Sequence, residues 1–76
     1  MTTVELEYCV PCEFRRRALD VQAAILSGLE TEIDEFRLVM GGDGVFRVAV
    51  DGETVYDKQE EAFDVDAIVR SVRERL

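Results

Sequence analysis

The sequence predicts a small two-layer α/β sandwich: a four-stranded mixed sheet in the order 2-1-3-4, with both helices on one face. Three observations predict it. Apolar and polar residues alternate in short segments, the period of a strand with one wet face. Two longer segments carry apolar residues at helical spacing. Turn signals at Gly41-Gly42-Asp43-Gly44 and Asp51-Gly52 then divide the chain into the order β-α-β-β-β-α.

Thr3 to Tyr8 is the first strand, with Val4, Leu6 and Tyr8 on the core face and Thr3, Glu5 and Glu7 on the other. Cys9-Val10-Pro11-Cys12 follows at once. Phe14 to Leu29 reads as a helix, because Phe14, Ala18, Val21, Ile25 and Leu29 form one stripe, with Leu19 and Leu26 on its flank. Arg16 and Asp20 are an i,i+4 pair on the opposite side. Pro11 suits the first helical turn, where its missing N–H has no partner anyway. Gly28 weakens the last turn.

Glu30 to Glu35 is a polar connection. Phe36 to Met40 is the second strand, with Phe36, Leu38 and Met40 pointing inward. Three glycines in Gly41-Gly42-Asp43-Gly44 hold neither strand nor helix and make a loop. Val45 to Val50 is the third strand, with Phe46, Val48 and Val50 inward and Arg47 outward. Asp51-Gly52 tolerates the positive φ of a type I′ turn and joins a short fourth strand, Thr54 to Tyr56. Lys58 to Ala62 is polar. Asp64 then caps a second helix, whose stripe is Val65, Ile68, Val69, Val72 and Leu76. Its acids, Asp64 and Asp66, sit at the positive end of the helix dipole, with Arg70, Arg73 and Arg75 toward the negative end.

A strand-helix-strand unit implies a right-handed parallel crossover. The hairpin of strands three and four then fits on the other side of strand one, with strand four at the edge. On the open face Glu5 and Glu7 are flanked by Arg37 and Arg47, cross-strand pairs worth about 0.2–1 kcal/mol each when exposed.

Composition narrows the function. Seventy-six residues make one domain. Apolar residues, 47% of the chain, are interspersed with charge, so a folded domain is expected and not a disordered acidic tail. Acidic side chains number 17 against 9 basic, a net charge of -8 that repels nucleic acid and anionic lipid as primary partners. No apolar run is long enough for a membrane span or a signal segment, so a cytoplasmic location is expected. Lys58 is the only lysine, all other basic residues being Arg. Acid-rich, lysine-poor surfaces suit concentrated salt, where cations screen self-repulsion, so stability should rise with salt. The chain has no His, which excludes His-based catalysis and every His-containing metal site.

What remains is the pair Cys9 and Cys12. Two thiols at this spacing, after a strand and before a helix, close a small disulfide ring or act in exchange. The helix N-terminus favours thiolate over thiol, as do Arg15, Arg16 and Arg17, whereas Glu7 and Glu13 oppose it. One thiolate attacks a disulfide and the other resolves the mixed disulfide. Cys9, on the loop side, is the expected attacker and Cys12 the resolving thiol. Structural zinc takes about four ligands, more than the Cys and His of this chain supply without carboxylates or a second copy. No metal and no cofactor beyond the two sulfurs is expected.

Tyr8-Cys9-Val10-Pro11-Cys12 is followed by Arg17-Ala18, then Gly44-Val45-Phe46-Arg47-Val48, Asp51-Gly52-Glu53, Val55-Tyr56-Asp57-Lys58 and Phe63. In that order, from Val4 to Val72, these segments resemble the selenoprotein W-like (Rdx) family. The resemblance implies a thioredoxin-like fold and thiol redox chemistry, with Cys9 and Cys12 matching the family's redox pair. Some members carry selenocysteine at the position matching Cys12, which would make that sulfur the reactive one and leaves the choice of attacker open. The chain departs from the pattern in two places. Val10-Pro11 is closer to the dipeptide of a glutaredoxin or thioredoxin, and Asp64 stands where the family often has Pro. Pro11 is the only proline, so the cis-Pro that thioredoxins set opposite their cysteines is missing. The Gly41 to Gly44 loop is expected in its place.

Tyr8, Pro11, Arg17, Gly42, Asp43 and Gly44 are therefore the candidate substrate-binding residues. The bare glycine backbone would line a groove beside Cys9, or serve only as a turn. Tyr8 alternates with Val4 and Leu6 and is first a core residue. Arg17 sits one turn past Glu13, so an ion pair between them is its simplest account, with attraction of an acidic thiol the alternative. The expected function is thiol–disulfide exchange on protein disulfides or low-molecular-weight thiols, with electrons from an unidentified thiol or reductase. The alternatives are a non-enzymatic redox-sensing or protein-binding module of the same fold, and metal delivery through the two thiolates.

Overall fold

The computed structural model describes residues 2–60 and 62–76; residue 61, in the polar connection before the second helix, lies outside the described residues. The elements are β1 (Thr3–Cys9), α1 (Arg15–Leu29), a 3₁₀ turn (Glu30–Glu32), β2 (Glu35–Gly41), β3 (Phe46–Val50), β4 (Glu53–Asp57) and α2 (Val65–Arg73). The sheet order is β2-β1-β3-β4. β1 runs parallel to β2 and antiparallel to β3, and β3 is antiparallel to β4.

Register explains the two faces. Val4 stands between Phe36 and Val50, Leu6 between Leu38 and Val48, and Tyr8 between Met40 and Phe46. These rows carry the apolar side chains that α1 and α2 cover, through Ala18, Val21, Ile25, Leu29, Ile68 and Val72. On the other face Glu5 lies opposite Arg37, and Glu7 opposite Arg47. Glu7 and Arg47 form an ion pair at 2.7 Å. Arg37 turns instead to Glu35 on its own strand, at 3.4 Å.

Both local signals in the second half of the chain hold. Asp51 and Gly52 have φ of 50° and 86°, the positive pair that a type I′ hairpin requires. Asp64 is extended and its carboxylate accepts the Ala67 N–H at 3.2 Å, an N-cap worth about 1 kcal/mol. The stripe of α2 ends earlier than its spacing implies. After Arg73 the backbone tightens to bonds such as Leu76 N–H to the Arg73 carbonyl, and Leu76 is exposed.

Phe46 is the hub of the core, meeting Phe14, Tyr56 and Phe63 edge-on at centroid distances of 6.2, 6.2 and 5.6 Å. Such pairs add about 0.5–1.5 kcal/mol each beyond their burial. Phe14 thus anchors the start of α1 over β3. The far end of the same row is left uncovered, and Met40, expected inward, is 66% exposed. It lies on the helix side of the sheet, but on an edge strand that the helix start does not reach.

Candidate functional site

β1 ends at Cys9, and two neighbouring chain ends fix the exit. The Cys9 N–H donates to the Val45 carbonyl at 2.8 Å, and the Val10 N–H to the Gly41 carbonyl at 3.1 Å. The chain then folds back sharply. Glu13 N–H donates to the Val10 carbonyl at 3.1 Å and Phe14 N–H to the Cys9 carbonyl at 3.4 Å, around Glu13 at φ 61°. This nested pair of bonds about a left-handed residue is the Schellman arrangement, where Gly is the usual occupant. A non-glycine residue there costs about 1–2 kcal/mol.

Helix α1 therefore starts at Arg15, not near Pro11. The expectation of Pro11 inside the first helical turn is corrected: residues 10–14 are a separate turn, because the left-handed Glu13 interrupts any helix before it. That turn brings the sulfurs together. Cys9 and Cys12 are joined in a disulfide with Cα atoms 5.3 Å apart, inside the usual range for such a bond.

The two sulfurs differ in access. Cys9 is 0% exposed, held in the sheet with its N–H bonded, whereas Cys12 lies on the exposed part of the turn beside Pro11. Of the two sulfurs, Cys12 is therefore the one on the solvent side of the turn.

The glycine loop lies beside the cysteine turn. Val45 N–H donates to the Gly42 carbonyl at 3.2 Å, with Asp43 and Gly44 at φ 59° and 76°, so it is a tight turn with positive φ at both central positions. Its flanks, Gly41 and Val45, hold the backbone of Val10 and Cys9. Gly41 itself is a close-approach position: a Cβ there meets Glu7 Oε2 at 2.6 Å and Val45 Cγ1 at 2.9 Å. Gly42 and Asp43 are exposed beside this clasp, and Gly44 is half-buried.

Tyr8 is 5% exposed and belongs to the core cluster. Arg17 makes no ion pair with Glu13. Its guanidinium lies over the rings of Phe14 and Phe63, 5.1 Å from each centroid, and Lys58 approaches Phe14 at 5.5 Å. Arg17 is thus a clamp on the aromatic cluster that seats the turn. Among the described residues, no three Cys, Asp or Glu side chains come together as a set able to hold a metal ion.

One feature of the site is not evident in the sequence. Val10, Glu13, Arg15, Arg16, Leu19 and Met40 line an open groove with Tyr8 at its floor. The available signal was Leu19, which stands off the main helical stripe, together with the position of Met40 at the end of an edge strand.

The chain matches the Rdx family over residues 3–74. The crystal structure of a protein from Bordetella parapertussis is similar, with a TM-score of 0.91 and 26% identity, over 99% of this chain and 98% of that one. A selenoprotein W-related protein from Vibrio cholerae superposes with a TM-score of 0.87 and 24% identity, over 96% of this chain and 94% of that one. No curated protein sequence matches the chain. The architecture is the thioredoxin-like β-α-β-β-β-α sandwich, and with the family match covering nearly every element, the chain belongs to the Rdx family.

Proposed function

We propose that this protein is a thiol–disulfide oxidoreductase in which Cys12 attacks and Cys9 resolves. The observation that carries the reading is the asymmetry of one bonded pair: Cys9 fully buried at the end of β1, Cys12 exposed on the turn. In the reduced protein the Cys12 thiolate attacks one sulfur of a substrate disulfide. A mixed disulfide forms and one substrate thiol leaves. The Cys9 thiolate then attacks Cys12 Sγ, which closes the Cys9–Cys12 bond and releases the second thiol. Two electrons pass from the cysteine pair to the substrate, and an external thiol or dithiol reductant restores the pair.

Membership of the Rdx family supports the reaction class, and the short Cα separation supports reversible closure without rebuilding the fold. Protein disulfides and low-molecular-weight thiols are the proposed partners.

The test uses single-cysteine variants and a small neutral disulfide, bis(2-hydroxyethyl) disulfide, read by intact mass. Cys9→Ala should stop at a mixed disulfide on Cys12, while Cys12→Ala should stay unmodified. Alanine is chosen for Cys9 because a hydroxyl in that dry position lacks a partner. Adduct on Cys12→Ala alone reverses the roles. No adduct on either variant, with no intramolecular disulfide under mild oxidant in the wild type, removes the redox reading and leaves a binding module.

A further inference from the structure

On a surface that is otherwise acidic and polar, the exposed large apolar residues include Val10 at 50%, Leu19 at 45% and Met40 at 66%. These three come from the cysteine turn, from α1 and from the end of β2, and they meet in one groove of about 680 Å³. Isolated exposed apolar residues are normal; three from separate elements in one concavity are not. The groove adjoins the sulfur site, because Val10 and Glu13 open and close the turn that carries Cys12. Arg15 and Arg16 also line it, with Glu13 the one acid in the lining. Arg15 makes no ion pair among the described residues, and Arg16 reaches only Asp20, at 3.7 Å with both side chains largely exposed. Beyond Met40, β2 is the edge of the sheet, with no further strand among the described residues.

Resting on the redox reading above, we infer that this groove selects the substrate: an extended segment of a protein disulfide that places an apolar side chain next to its cysteine and a carboxylate just beyond. The apolar side chain lies on Met40, Leu19 and Val10, over Tyr8. The carboxylate meets Arg15 and Arg16. Glu13 stands at the Cys12 end and disfavours a second acid immediately beside the reacting sulfur. The overall charge of -8 draws cationic peptides from a distance. At physiological ionic strength, however, the Debye length is about 8 Å, so the two guanidiniums in the groove outweigh charges farther round the molecule.

The test is a single turnover of the fully reduced protein in about 0.15 M salt, the ionic strength of that screening length. The substrates are four short synthetic peptides, each with one cysteine and each supplied as its own homodisulfide. Leu or Ser stands next to the cysteine, and Glu or Lys follows two residues on. Each turnover breaks one peptide disulfide, releases two peptide thiols and forms the Cys9–Cys12 bond. The Leu/Glu peptide should react about tenfold or more faster than Ser/Lys, as half-burial of one apolar side chain plus one charge contact implies. In Met40→Gln, and in Arg15→Gln with Arg16→Gln, that ratio should fall toward one. A ratio cancels any general change in thiol reactivity, and the substituted positions are exposed.

Equal rates for the four peptides, or Ser/Lys fastest, overturn the groove while leaving the cysteine chemistry standing. The same peptides with Ser for Cys separate the two claims. Shifts of the Met40 methyl and of Val10 and Leu19 amide signals on adding the Leu/Glu form support the groove even if no disulfide reacts, in which case only the redox reading fails. No shift together with no selectivity overturns the inference.

Discussion

Gly41→Ala tests how the glycine loop holds the sulfur site. Gly41 has no left-handed backbone, so alanine is conformationally acceptable and its cost is steric. The new methyl meets Glu7 Oε2 at 2.6 Å and Val45 Cγ1 at 2.9 Å. The carboxylate can swing away, at the expense of an Arg47 contact at 2.7 Å that is partly exposed and worth about 0.2–1 kcal/mol. Val45 has no such freedom. It is a β-branched residue whose carbonyl accepts the Cys9 N–H at 2.8 Å. Overpacking of this kind costs about 1–3 kcal/mol. It is offset by about 0.4–1 kcal/mol because alanine restricts the unfolded chain. The net loss is about 1–2 kcal/mol, which in a domain of this size lowers Tm by about 5–15 °C. Thermal unfolding followed by circular dichroism reads it, and Cys9 amide exchange should quicken. Adding Val45→Ala removes the clashing Cγ1, so the two changes should couple by about 1 kcal/mol. An unchanged or higher Tm for Gly41→Ala, or strict additivity in the double variant, refutes the close-approach argument.

Three further outcomes follow from the same geometry. Glu13 occupies a left-handed position, so Glu13→Gly should be neutral or stabilising and Glu13→Val destabilising, with a difference of about 1–2 kcal/mol in urea unfolding; equal stabilities contradict the strained turn. Arg17→Gln should lose about 1–2 kcal/mol, two cation–π contacts, while Glu13→Gln should not reproduce that loss; the reverse order in thermal melts would restore the ion pair in place of the clamp. Finally, we propose that the acidic surface is adapted to concentrated salt. Tm should rise steadily from low salt to molar potassium chloride, and a flat or falling curve removes that reading while leaving the sulfur chemistry untouched.

Much of the fold was legible because several signals agreed. The alternation of Val4, Leu6 and Tyr8, the two helical stripes and the Asp51-Gly52 turn each specify one element. Only the sheet order 2-1-3-4 uses them all. Asp64 was legible as a cap because its chemistry is local. What escaped depended on how elements lie side by side. Met40 alternates correctly and still faces solvent, since Phe14 fixes the start of α1 over Phe46 and leaves the last residues of the edge strand bare. Arg17 at helical spacing from Glu13 looks like an ion pair, but its guanidinium lies over two rings, one of them from beyond β4. The Pro11 placement failed because nothing in a glutamate's identity announces a positive φ. The unequal burial of the two cysteines also escaped, because it depends on the register of β1 against β3.

One sulfur of the pair meets the solvent and the other lies behind it. Alkylation of the fully reduced wild-type protein with substoichiometric iodoacetamide, quenched over time and mapped by peptide mass spectrometry, measures this directly. Carbamidomethyl is expected on Cys12 first, with Cys9 modified only slowly or on unfolding. Equal labelling of both cysteines, or Cys9 labelled ahead of Cys12, would contradict it.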